Sequence, residues 1–461
     1  MRSRSEGPAR LLWRKELREL AVSRSYAMLL VLSGALVGHA FLTAVATYAE
    51  LSGAGGAPSA LAQGMNPLDG ILVPTFGAYD LAATLLLPFV VIRLVSAERA
   101  TGAWTILVQS PARVRSMVTM KALALAAAWI VALVPGLAAM ALWRSYGGHV
   151  HGGELAALLL GHVLSAGLTI GLAAAAAAVT DQSASAAIVT LGVTVGSWAL
   201  DFVAAVRGGA WERIAAFTPT ATLRLFEQGL VRASAVAVMA ATCIAGLALA
   251  AVWLDMGARL WRRVGWSAVV LLGFVVVAAG GARLHSSWDV TEDRRHSFPP
   301  ADEAALRALP GPLKVEVHLG AEDPRLSDLQ RGVLQKLERV VPRLEVVNTS
   351  QSHTGMFARA DEHYGEVWYE MGGKRVMLRS TIEPVVLETI FGLAGVAPPA
   401  RGEAAAYGGY PLAATGAYAA AALYLAWPLL VVVLFAAFRR GRAVRRSSKG
   451  TGEPPVDKPA A

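Results

Sequence analysis

The chain has 461 residues, of which 55% are hydrophobic and only 16% charged, against an apolar share of roughly 45–50% in soluble proteins. That balance excludes a disordered or DNA-coating protein and argues against an ordinary soluble enzyme. The formal charge is +9, and the single cysteine, Cys243, lies in an apolar run, which excludes an intrachain disulfide and a cysteine-based zinc site.

A helix crosses a bilayer when about 20 successive residues are mostly apolar, because a shorter run cannot shield its backbone from lipid. Seven runs, 26–49, 122–143, 155–180, 182–200, 233–254, 264–282 and 404–438, contain no Asp, Glu, Lys or Arg. An eighth, 79–96, carries Asp80 and Arg93 near its ends, where a long arginine can snorkel to the headgroups. The first run exceeds the 7–15 apolar residues of a cleaved signal, so it is expected to stay attached.

Orientation follows from the basic residues of the short connections, which are retained in the cytoplasm. With the N-terminus inside, the inner segments carry seven basic residues before Tyr26, five from Arg93 to Lys121, three from Arg259 to Arg263 and seven after Phe438. The outer loops carry none after the first span, one at Arg144 and four from Arg207 to Arg232. Both termini are thus expected in the cytoplasm of a plasma (inner) membrane protein. The positive balance reads as a retention signal and anionic-lipid contact, with no nucleic acid as partner.

The expected fold is an α-helical polytopic membrane protein of about eight transmembrane helices, with a small α/β extracytoplasmic domain inserted between the last two spans. In chain order, 1–25 is a cytoplasmic interfacial helix, 26–258 a six-span domain, 259–284 the seventh span, 285–405 the outer domain, 406–438 the eighth span and 439–461 a basic tail. In the outer domain, Leu313, Val315, Val317 and Leu319 alternate with polar residues, as in a half-buried strand. Asp323-Pro324 opens a helix with Leu326, Leu329, Val333, Leu337 and Val340 on one face. A strand at 344–347 follows, then a hairpin turning at Gly372-Gly373, where positive φ is tolerated, and a last helix from Pro384.

Residues 10–24 (RLLWRKELRELAVSR) place Trp13, Leu17 and Leu20 on one helical face, opposite Arg14, Lys15, Arg18 and Glu19, a pattern for a helix lying in the interface. Segment 211–231 is divided by Pro219, with Leu223, Phe226 and Leu230 as an apolar stripe opposite Arg224, Glu227 and Gln228. It is expected to lie at the outer surface. His149, His151 and Glu154 form only a weak metal pattern. His39, His162, Asp201 and Asp255 lie in or beside spans without a spacing motif, and Asp201 and Asp255 are expected at solvated span ends. No phosphate loop, H-E-x-x-H or G-x-S-x-G motif occurs, so neither nucleotide hydrolysis nor hydrolase chemistry has a visible seat.

RKELREL with Ser23, Ser25 and Tyr26 resembles the entry of type 2 ABC exporter permeases, in the gliding-motility and nitrous-oxide-reductase-maturation branch. So does the loop carrying Arg93, Glu98, Arg99, Gly102, Leu107, Ser110, Pro111 and Lys121. FTPTATLRLFEQGLVRAS (217–234) is similar to that family's outer helix between spans five and six. The second half, with WDVTEDRR, LKVEVHLG and YGEVWYEMGGKRVMLRS, looks like a shortened form of the accessory subunit of the gliding-motility system, fused to the permease.

The resemblance implies a transport subunit that is no enzyme itself. It would hold no cofactor, catalytic residue or metal, the ATP-Mg being bound by a separate ABC ATPase, and it would form a permease homodimer. Lys15, Glu16, Arg93, Glu98, Arg99, Gly102, Ser110, Pro111 and Lys121 would then couple to the ATPase, and Pro219, Leu223, Phe226 and Gly229 would belong to an outer gate helix. The competing reading is a membrane-anchored scaffold or sensor whose outer α/β domain binds a partner.

Overall fold

A computed structural model describes residues 8–51, 66–110, 112–207, 210–215, 217–284, 286–320, 323–348, 363–399 and 418–450. Among the described residues the fold is mostly helical, with eight helices long and apolar enough to cross a membrane and a small sheet region late in the chain. Helix α1 (Pro8–Ala21) leads into α2 (Arg24–Leu51), and a π turn at Leu68–Leu72 opens α3 (Val73–Ala100). There follow α4 (Ala103–Val108), α5 (Val114–Ala132), α6 (Val134–Ser145), α7 (Gly152–Val179), α8 (Ser183–Arg207), α9 (Ala210–Ala215) and α10 (Pro219–Glu227). Strand β1 (Leu230–Arg232), α11 (Ala233–Leu254) and α12 (Leu260–Ala282) complete this part. Helices α5 and α6 form one span interrupted next to Pro135, whose ring has no N–H to continue the ladder.

Two spans are longer than the apolar runs read from the sequence. The second starts at Leu68 rather than 79, and the third at Val114 rather than 122. Asp80 is hydrogen-bonded to Thr84, and Lys121 is neutralised by Glu16 and Glu98. A charge with an internal partner does not end a helix.

The bundle closes through small residues, as membrane helices do when backbones must approach. A Cβ on Gly246 of α11 would stand 2.4 Å from the Gly171 carbonyl of α7. Ala173 to Ala178 are all buried nearby, in keeping with close packing at that stretch.

The sheet region starts with β2 (Ser287–Asp289), antiparallel to β1 with Leu230 opposite Asp289. Helix α13 (Pro300–Arg307) and β3 (Leu313–Val317) follow. Helices α14 (Pro324–Leu329) and α15 (Gln335–Val340), joined by a π turn at Gln330–Leu334, cross over to β4 (Leu344–Asn348), parallel to β3. Strands β5 (Val367–Met371) and β6 (Lys374–Leu378) form the expected hairpin, with Gly372 and Gly373 at φ +58° and +77°. Helix α16 (Glu383–Ala394) ends this region, and the strand order is β4-β3-β5-β6. Leu313, Val315 and Val317 point inward on β3 and meet Leu337, Ile390 and Phe391 in a separate core.

The chain ends in α17 (Tyr418–Ala420), a π turn at Ala421–Ala426 and α18 (Trp427–Gly450). Trp427 lies across Gly34 of α2 and donates its indole N–H to the Leu30 carbonyl at 2.7 Å. The last span is therefore seated on the first.

Candidate functional site

Two groups of polar side chains are built into the bundle, one beside α1 and one at the opposite end, beside the sheet region. At the α1 end, three segments distant in sequence meet in an ionic lattice. Lys121 of α5 lies 2.9 Å from Glu16 of α1 and 2.9 Å from Glu98 of α3, and also donates to the Leu94 carbonyl. Lys15 contacts Glu98 and lies 3.1 Å from Glu16. Glu16, Glu98 and Lys121 are buried, at 2–4% exposure, so their charges are tolerable only because they are mutually paired.

Burial pushes the Glu16 carboxyl above the usual carboxylate range, against the pull of Lys121. For Lys15, burial acts downward but is outweighed by the Glu98 hydrogen bond and the surrounding carboxylates, so the ammonium is held more tightly charged. Glu16, Glu19 and Glu98 are close enough to hold a metal. Lys15 and Lys121 already pair with all three carboxylates, so the cluster is held by cations of the chain itself.

The lattice forms the base of α4. Gly102, at φ +71°, turns the chain into α4, a conformation other residues rarely adopt. Trp104 is buried and donates its indole N–H to the Leu254 carbonyl at 2.9 Å, tying α4 to the end of α11. Arg99 donates to the carbonyls of Ala177, Ala178 and Thr180 at 2.8–3.0 Å, satisfying the open end of α7.

Of the sequence-named coupling residues, Lys15, Glu16, Glu98 and Lys121 converge, Arg99 caps a neighbouring span, and Arg93 is exposed. Ser110 closes the α4 turn through its N–H to Leu107. Pro111 lies outside the described residues. The residues α4 turns outward are Thr105, Ile106 and Gln109, with Ile106 72% exposed. Sequence reading missed Ile106 and Trp104; a tryptophan followed by the apolar run Ile106-Leu107-Val108 between two charged segments was the available signal.

At the other end, α10 packs its apolar stripe on α7 and α8 and leaves Arg224 and Gln228 exposed. Leu223, Phe226 and Leu230 are buried as the stripe requires, and Phe226 fits against Gly161, where a Cβ would stand 2.5 Å from it. Thr218 caps the helix by accepting from the Ala221 N–H, Pro219 follows at the first turn, and Gly229 turns out at φ +76°.

Glu227 was expected on the polar face, yet it packs inward 3.9 Å from His162 Nε2. It occupies the i+4 position of the Leu223–Leu230 stripe, which carries it in. Burial and the nearby Asp80 carboxylate raise its pKa to about 7, against the pull of Arg224. His162 is 2% exposed, rests between Phe76 and Tyr79, and its Nε2 has no hydrogen-bond partner among the described residues. Asp201, expected at a solvated end, is buried on α8, accepts from Thr218 and lies 3.3 Å from Arg224. Asp255 does cap an exposed helix end, and His39 is exposed on α2.

The segment after β2 fastens the sheet region to this end. The Val290 N–H donates to the Gly229 carbonyl, and Arg295 pairs with Asp69. His149 and Glu154, the weak metal pattern, both hold Glu292, through its carboxylate at 2.9 Å and its N–H at 3.0 Å respectively. Asp289 accepts from Thr291, His296 and Ser297; burial opposes its ionisation, but these hydrogen bonds prevail and hold its pKa low. Comparison with protein-family models, with curated proteins and with solved structures returned no match.

Proposed function

We propose that this chain is the permease subunit of an ATP-driven exporter of the type 2 ABC class, inserted in the plasma membrane and working with a separate ATPase. The observation that carries this reading is the lattice of Lys15, Glu16, Glu98 and Lys121 at the base of α4. It makes α1 and two spans move with α4, a short helix offering an exposed apolar side chain at Ile106. An energy-supplying partner shifts a two-state equilibrium only through contacts that differ between the states, and α4 presents the surface for such contacts.

In this reading Glu98 and Arg99 transmit the motion and Thr105, Ile106 and Gln109 touch the ATPase. The termini and α4 face the cytoplasm, the sheet region lies outside, and α10, fastened to that region, is the outer gate helix. Two chains line the pathway.

The test is purification from native membranes. The tagged chain should bring with it an ATPase carrying a phosphate loop, and Ile106→Asp should release it. ATP hydrolysis by the purified chain alone would overturn the assignment.

A further inference from the structure

A cavity of about 1080 Å³ lies between α5, α7, α11 and α12, larger than most small-molecule sites of roughly 300–1,000 Å³. Its walls are apolar, built in part from Ala122, Leu123, Ala126, Ile170, Leu247 and Val269. Its mouth, at the α1 end, is not. Arg113, Arg115 and Arg263 line it there with Asp255 as the sole acid. That acid is turned into its own loop, accepting from the Gly257 N–H at 3.2 Å.

Arg113 and Arg115 are exposed and make no ion pair among the described residues. Arg263 donates to the Asp255 carbonyl at 2.7 Å, while its buried Nε has no hydrogen-bond partner among the described residues. Three guanidiniums thus line one mouth against a single acid, and none of them forms an ion pair among the described residues.

The dimensions match one leaflet. From Val114 to Ala126 the lining of α5 spans thirteen residues, twelve steps of 1.5 Å or about 18 Å. Half of a hydrocarbon core is about 15 Å. Trp266 stands one turn beyond Arg263, at the depth where an indole serves as an interface anchor. A long apolar trough, an aromatic at its rim and excess positive charge at its mouth together define an amphiphile with an anionic head.

We propose that this groove binds one anionic phospholipid of the leaflet on the α1 side, its phosphate held by Arg113, Arg115 and Arg263 and an acyl chain laid along α5 and α11. A second copy of the chain is a poorer occupant. A two-fold contact through this face would bring the same arginines together at the same level, with repulsion in place of attraction. The proposal needs the bundle to lie in a bilayer but does not depend on an ATPase.

The full chain, purified in detergent and stripped of lipid, is titrated with phosphatidylglycerol and with phosphatidylcholine of the same acyl chains and followed by native mass spectrometry. One phosphatidylglycerol per chain is expected, bound at least about tenfold more tightly, from roughly 1 kcal/mol per basic residue. Arg115→Ala should weaken it about fivefold on the same scale, and Ala126→Trp, on an exposed lining position, should abolish it.

Cys243 lines the same groove and gives an independent readout on the unaltered chain. Its alkylation by N-ethylmaleimide should slow when phosphatidylglycerol is added and not when phosphatidylcholine is. Equal binding of the two lipids, unchanged alkylation, or protection of Cys243 only on dimerisation would overturn the proposal. A failed ATPase copurification leaves each of these results unaffected, so the two ideas fail separately.

Discussion

The two polar groups inside the bundle are built on opposite principles. At the α1 end, Lys15, Glu16, Glu98 and Lys121 bring two positive and two negative charges into mutual contact, so burial is compensated and the segments they join are locked. At the other end, Glu227 stands 3.9 Å from His162, whose Nε2 is unbonded among the described residues, and Asp80 adds a like charge nearby. A lattice of paired charges is suited to transmitting force, whereas an under-satisfied cluster beneath a packed amphipathic helix is suited to changing state.

The contrast can be broken most severely at the lattice. Lys121→Ala leaves two carboxylates buried with one remaining lysine and should cost about 3–5 kcal/mol, seen as a large fall in thermal stability. Replacing Glu16, Glu98 and Lys121 together with apolar residues of similar volume should cost far less while severing transmission. If the triple variant is as unstable as the single one, the lattice contributes more than compensated burial.

Next in size is the helix contact that both ends share. Gly246→Val would drive a side chain into the Gly171 backbone, with a loss of about 1–3 kcal/mol or more. Gly161→Ala presses on Phe226 instead, so it should disturb α10 without loosening α1. Hydrogen exchange on peptides of the two helices separates these outcomes.

The third effect depends on pH and sharpens the contrast directly. Because the folded-state pKa of Glu227 is raised to about 7, the docked helix gains from its protonation. That gain is full below about pH 4.5, the ordinary carboxylate value, and is lost as pH rises through 7. After correction for intrinsic exchange rates, α10 should be better protected in mild acid than in mild alkali, and Glu227→Gln should remove the difference. Asp80, Arg224 and His162 face the same carboxyl, so each single variant should move the midpoint.

Much of this was legible in the sequence, and where it was not the reason is specific. The alternation at Leu313–Val317 and the pair Gly372-Gly373 located the sheet, because local pattern and burial agree there. The start of the third span was misplaced at Lys121, because a charge reads as a boundary until its partners are known. Glu227 was assigned to the polar face and Glu16 to no face, although each falls within an i, i+3, i+4, i+7 stripe, Leu223–Phe226–Leu230 and Trp13–Leu17–Leu20 respectively. A carboxylate inside such a stripe was the visible signal for both clusters.

The smallest expected change in stability belongs to Ile106, whose replacement by Asp on an exposed surface should shift stability by no more than about 0.5 kcal/mol. It also offers the most direct test of the central claim. A cysteine at position 106, in a chain with Cys243→Ser, is cross-linked in native membranes and its partner identified by mass spectrometry. The expected product is one adduct to an ATPase bearing a phosphate loop, formed on the cytoplasmic side. Labelling of that cysteine in intact cells by a membrane-impermeant maleimide, with no ATPase adduct, would contradict the account.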